Sequence, residues 1–183
     1  MRRVKLLRVD TYEPVFLTVA EGERLIAAAE GQMCTLLTLA LHTGLRRMEL
    51  FNLQWADVDM EREEIVVRRA KSRKYRRVPV NSVVVAALRG HPRHIRSSHV
   101  FHREDGGPWR DVRKRLWAAL DKAGLPRVRL HDLRHSFASN LVAAGVDLRN
   151  VKELVGHSSL EMTLRYSHLT PGRLRASVAA LEG

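Results

Sequence analysis

Apolar positions in this chain fall mostly at helical spacing. Thr18 and Glu21, three apart, precede Leu25, Ile26 and Ala29, with Gly31 as the stop, the pattern of a capped helix start. From Gln32 to Thr43 the residues are apolar almost all round, up to Gly44, which predicts a buried central helix. A short helix is expected over residues 48–53. The texture then changes. Residues 64–69 carry the β-branched run Ile65, Val66, Val67, and residues 77–80 carry Val78 and Val80. The polar, basic stretch 70–76 between them reads as the tip of a β-hairpin. A third strand is expected over residues 99–103, ended by Asp105-Gly106-Gly107-Pro108. The second half returns to helical spacing. Over residues 109–123, Trp109, Val112, Leu116, Ala119 and Leu120 share one side, with Arg110, Arg113, Lys114 and Arg115 largely away from it. Gly124, Gly145 and Gly156 stand where helices should end, giving helices near 130–144, 147–155, 160–167 and 172–181. The expected fold is mainly α with a small antiparallel β-sheet, an α+β arrangement without repeats, low-complexity segments or an evident linker.

Composition narrows the class. With 183 residues, 45% of them apolar, the chain is long enough for one domain with a real core. No apolar run reaches the roughly 18 residues of a membrane span. Residues 1–10 are basic but lack the apolar stretch of a secretion signal. The one cysteine, Cys34, lies in an apolar stretch and is expected to be a small core residue, which fits a reducing cytoplasm. A net charge of +12 favours a polyanionic partner. However, 26 of the 32 cations are Arg, as codon bias would also give, so charge alone does not decide for nucleic acid.

Three segments carry candidate chemistry, and each is ambiguous alone. Arg46 follows the Gly44 break at the mouth of the buried helix, where it reads equally well as a surface partner of Glu49 at i+3. The run His131-Asp132-Leu133-Arg134-His135 puts His131, Arg134 and His135 on one helix face. Histidines at i and i+4 suggest zinc, but Asp132 is a methylene short of the usual glutamate and Arg134 would set a cation beside the metal. No third ligand is evident, so neither metal nor cofactor is expected. In the third segment, from Gly156-His157 to Tyr166 and His168, the tyrosine alone reads as a partly buried aromatic and His157 as a loop histidine.

Together these segments resemble the phage integrase, or tyrosine recombinase, family over about residues 16–181, in the family's order. An arginine, a hairpin lysine, His-x-x-Arg, Gly-His and a tyrosine nine residues after that histidine form a specific joint pattern. The resemblance implies a site-specific DNA recombinase that cuts and rejoins DNA through a 3′-phosphotyrosyl intermediate, with Tyr166 as nucleophile and no metal or ATP. Arg46 and Arg134 match the arginines that clamp the scissile phosphate. Physical chemistry agrees, since planar guanidinium forks match the charge gathering on phosphate oxygens. Lys71, eight residues before Pro79, matches the general acid, with Lys74 as its rival on the same hairpin. His131 and His157 match the phosphate-bonding histidines, and His131 is the candidate to accept the tyrosine proton. Arg47, Arg73, Lys74, Arg76 and Arg77 are expected to bind DNA phosphates. Glu49 and Asp132 are expected to orient Arg46 and the His131 turn, and His135 and His168 to be structural.

The resemblance also implies a division of the chain. Residues 1–17 are expected to be an N-terminal extension and 18–183 the catalytic domain, without the core-binding domain that family members usually carry before it. The last helix, with Leu174, Val178 and Leu181, is expected to support self-association on double-stranded DNA, in the cytoplasm and on the nucleoid. Two other readings are a type IB topoisomerase-like relaxing enzyme and a non-catalytic DNA-binding homologue.

Overall fold

The computed structural model describes residues 16–68 and 75–167. Helix α1 (Val19–Ala28) opens as its pattern predicts. The Thr18 hydroxyl accepts from the Glu21 amide at 3.3 Å, and the Glu21 carboxylate accepts from the Thr18 amide at 2.8 Å. Helix α2 (Gln32–Thr43) is the central one, packed by α1, α4 and α6. Its Leu36, Leu37 and Leu39 are fully buried. Two of its buried threonines satisfy their hydroxyls within the helix, Thr38 on the Cys34 carbonyl and Thr43 on the Leu39 carbonyl. Cys34 itself is only half-buried.

The chain then makes α3 (Arg47–Phe51), a 3₁₀ turn at Trp55–Asp57, and a three-stranded antiparallel sheet in the order β1 (Val58–Asp59), β2 (Glu64–Arg68), β3 (Tyr75–Pro79). Ile65 faces Val78 and Val67 faces Arg76 across β2 and β3, so these four side chains share the inward side. The third strand is thus Val58–Asp59 and not residues 99–103, where Val100 and Phe101 are fully buried but only isolated bridges form. Helix α4 (Ser82–Arg89), capped by the Asn81 side chain on the Val84 amide at 3.1 Å, was not expected from the sequence.

Helix α5 (Arg113–Ala123) starts four residues later than its apolar spacing suggests and packs on α1. Helices α6 (Leu130–Ala143), α7 (Leu148–Val155) and α8 (Glu161–Leu164) complete the described fold. The expected helix at 172–181 lies outside the described residues. Leu17 is sewn to α6, its amide donating to Ser136 Oγ at 2.9 Å and its carbonyl accepting from Asn140 at 3.1 Å. Besides the main core, Phe137, Ala138, Val142, Val151, Val155 and Tyr166 form a second apolar cluster joining α6, α7 and the segment after α8. No described helix is long and apolar enough to cross a membrane.

Candidate active site

Two left-handed glycines set the walls of the site. Gly44 (φ 60°) ends α2, and a Cβ there would overlap the Phe137 ring of α6, so only glycine lets the chain turn this close. Arg46 follows it, at the start of α3. Its amide donates to Glu49 Oε2 at 2.8 Å, its guanidinium to Glu49 Oε1 at 3.0 Å and to the Gly156 carbonyl at 2.6 Å. Gly156 (φ 67°) ends α7, and a Cβ there would meet the Arg76 guanidinium at 2.9 Å.

Glu49 holds more than Arg46. Arg76 reaches it through a two-pronged fork at 2.8 and 2.9 Å, and both side chains are largely buried. Burial would raise the Glu49 pKa, but Arg76, the Arg46 amide and the Arg46 guanidinium outweigh it and hold it at about 2. Arg76, expected among the DNA-binding cations, therefore points inward and props Arg46 and Gly156. Its neighbour Arg77 faces out and pairs with Glu64 at 2.9 Å, while Arg47 is exposed, with its guanidinium over the Phe51 ring.

Arg134 lies on α6, only 4% exposed. Its one hydrogen bond among the described residues goes to the Gly44 carbonyl at 2.5 Å, and no described carboxylate lies within ion-pair distance. Burial, then the Arg46 charge, pulls its pKa down to about 10. Three guanidiniums, those of Arg46, Arg76 and Arg134, thus share the field of Glu49, a surplus of positive charge in a half-buried site.

The histidines divide by exposure. His131 is exposed, its pKa lowered by burial of part of the ring and by Arg134. His157 is buried, its Nδ1 engaged with Thr163 Oγ1 at 2.8 Å, and burial followed by Arg134 and Arg46 brings it to about 4. Tyr166 is 3% exposed, with its ring in the second apolar cluster. Burial raises its pKa, against the pull of Arg165 and Arg134. Its hydroxyl meets His135 Nδ1 at 2.5 Å and makes no hydrogen bond to His131. His135, read as structural, is thus the phenol's partner. The signal was present in its place four residues after His131 on the same face.

Asp132 is fully buried and takes the Arg129 guanidinium and amide, so it caps the start of α6. Lys71, Arg73, Lys74 and His168 lie outside the described residues. Among the described residues, no group of three or more His, Cys, Asp or Glu is placed to hold a metal ion.

Comparison with known proteins gives consistent results. The family model described as the phage integrase family matches residues 15–173. The integrase of Salmonella phage P22 is 35% identical over 171 residues, 84% of this chain and 43% of the phage protein. Tyrosine recombinase XerA of Pyrococcus horikoshii is 31% identical over 191 residues, 96% of this chain and 64% of XerA. The Tn1549 transposon integrase, solved in complex with circular intermediate DNA, matches with a TM-score of 0.77 at 27% identity, over 94% of this chain and 68% of that one. The chain thus spans between 43% and 64% of the length of these two curated relatives.

Proposed function

The chain belongs to the phage integrase family, and we propose that it is the strand-cleaving and strand-joining domain of a site-specific DNA recombinase. Tyr166 attacks the scissile phosphorus, giving a 3′-phosphotyrosyl link and a free 5′ hydroxyl, and the hydroxyl of another strand reverses the step. Because the link conserves the bond energy, rejoining needs no ATP. Arg46 and Arg134 hold the non-bridging oxygens, His131 and His157 bond phosphate oxygens, and Lys71 protonates the leaving 5′ oxygen. Arg47, Arg73, Lys74 and Arg77 bind flanking phosphates, with Arg76 supporting Arg46 from behind.

One observation carries this reading. Among the described residues, Arg134 is a buried guanidinium with a single carbonyl partner, beside two other arginines whose shared carboxylate is already taken. A buried charge in that position is costly unless an anion completes it, and a phosphodiester has the right charge and fork-matching oxygens. The net charge of +12 supports double-stranded DNA as the source of that phosphate. The DNA in the Tn1549 integrase complex supports the same partner. We assign residues 18–183 to the catalytic domain and 1–17 to an extension, acting in the cytoplasm on nucleoid DNA. The C-terminal segment, with Leu174, Val178 and Leu181, docks on a neighbouring protomer. An open groove of ≈ 500 Å³ lined by Val19, Ile26, Leu41, Phe137, Leu141 and Leu154 supports this with an apolar receiving surface.

The test is incubation with supercoiled plasmid in EDTA beside Tyr166→Phe. Relaxation and SDS-stable protein–DNA adducts are expected for the wild type alone. Normal DNA binding without adducts would refute the catalytic assignment. Relaxation without exchange between two sites, in a protein that stays monomeric on DNA, would favour the topoisomerase-like reading.

A further inference from the structure

The Tyr166 hydroxyl is the polar end of a side chain sunk among apolar residues, and its one hydrogen bond among the described residues is to His135 Nδ1. At 3% exposure the phenol has little access to bulk water, so a proton leaving it needs an acceptor in the protein. His131 touches the His135 ring edge-on, with centroids 4.9 Å apart, but has no hydrogen bond to the phenol. The Nδ1 of His157 is occupied by Thr163.

Resting on the recombinase reading above, we propose that His135 is the base of the cleavage step, a role the sequence pattern assigned to His131. As Oη attacks phosphorus, the phenolic O–H bond breaks and the proton passes to His135 Nδ1, while the Oη–P bond forms. The P–O5′ bond breaks and O5′ leaves with a proton from the acid. The phosphodiester keeps one negative charge and His135 gains one positive charge. In rejoining, the O5′–H bond breaks and its proton returns to the acid as O5′–P forms, while Oη–P breaks and His135 returns its proton to Oη.

The surroundings fit. Burial first, then His131, Arg165 and Arg134, with Asp132 opposing, hold His135 at about 4, so the imidazole is neutral and able to accept at neutral pH. A phosphodiester seated on Arg46 and Arg134 offsets the cations that depress His135, so its proton affinity rises when substrate arrives. Base strength is thereby coupled to occupancy of the site.

Two measurements test this. Nitrogen-15 NMR of the histidines in DNA-free protein should show His135 as the Nε2–H tautomer from about pH 5.5 to 8, with its Nδ1 resonance moved by Tyr166→Phe. An Nδ1–H tautomer would overturn the proposal whatever the activity. Single-turnover adduct formation on supercoiled plasmid is then followed against pH for wild type, His135→Asn and His135→Ala, with DNA binding measured in parallel. Asparagine keeps a hydrogen-bonding atom near Nδ1 but cannot take the proton, so it rescues a merely structural contact and not a base. Both variants should lose about 10²-fold or more at pH 7 with binding unchanged. Their rates should climb about tenfold per pH unit as hydroxide takes over, where the wild type is flat. His135→Asn with the wild-type rate and profile would overturn the proposal and leave the recombinase reading standing. A wild type that binds DNA but forms no adduct would sink that reading, and this role with it.

Discussion

Glu49→Gln tests whether one carboxylate holds the arginine side of the site together. The substitution keeps the shape and removes the charge. From the described residues Glu49 accepts four hydrogen bonds, from the Arg46 amide and guanidinium and from both prongs of Arg76. In the folded protein its pKa is about 2 against an ordinary 4.5, and its side chain is 15% exposed, so solvent screens it little. A folded pKa below the unfolded one stabilises above the unfolded value, and that stability is lost as pH falls towards the folded one. The shift corresponds to about 3 kcal/mol at pH 7, of which about 1 kcal/mol remains at pH 3. Glutamine also turns an amide N–H towards donors, and removing one partner of a buried pair costs about 3–5 kcal/mol. Urea unfolding of both proteins at pH 7, 5 and 3, followed by circular dichroism, should therefore show a deficit of about 3–5 kcal/mol at pH 7. The deficit should narrow by about 2 kcal/mol at pH 3. If the variant is too unstable to titrate, Arg76→Met reports the same network through a smaller, similarly narrowing deficit. A pH-independent deficit, or one below about 1 kcal/mol, would refute the idea that Glu49 is a charged hub.

Other outcomes follow from single features of the site. His157 has a lowered pKa, so the unfolded state takes up its proton first as pH falls from 6.5 towards 4 and stability drops in that window. In His157→Gln, the slope of unfolding free energy against pH there should flatten by close to one proton; an unchanged slope would show that this histidine does not titrate differently on folding. Gly44→Ala forces a side chain into left-handed backbone and into the Phe137 ring, and thermal melts should register a loss of about 2–4 kcal/mol. Lys71→Ala should slow cleavage by about 10²–10⁴-fold at unchanged binding, with recovery on DNA whose scissile 5′ bridging oxygen is replaced by sulfur, which leaves without a proton. Lys74→Ala should not share that recovery.

What could be read from the sequence was whatever is encoded locally. The α1 capping pair, the all-round apolar α2 and the glycines ending α2, α5 and α7 are satisfied within a turn or two of the chain, and they stand where the pattern predicts. The misses have long-range causes. Val100 and Phe101 read as a strand because they are apolar and buried, yet the Val100 amide goes to the Leu53 carbonyl, away from the sheet. Helix α4 begins one residue after the Asn81 that follows the end of β3, and its Val83, Val84 and Val85 carry strand-like propensity that packing against α2 overrides.

The site divides along the same line. Motif spacing singles out candidates for the site, because the motifs sit at helix starts and glycine stops that are locally determined. It does not say which polar atom each one is joined to, since those partners lie far away in sequence. Arg46 finds Gly156, Arg134 finds Gly44 and Tyr166 finds His135 only after α2, α6 and α7 have packed. Arg76 shows that part of this was nevertheless legible. Strand alternation that turns Val78 inward turns Arg76 inward as well, and an inward arginine needs a carboxylate. Glu49 already had a partner in Arg46, so a second arginine on the same carboxylate leaves the site with more positive charge than the described carboxylates neutralise. Arg134 adds to that surplus from a position 4% exposed, where water does little to relieve it. Such a surplus is unfavourable for a resting fold and suits the phosphodiester of the proposed reaction. The physical demand for an anion thus comes from the pairing geometry around Glu49, independently of the spacing that first suggested the chemistry.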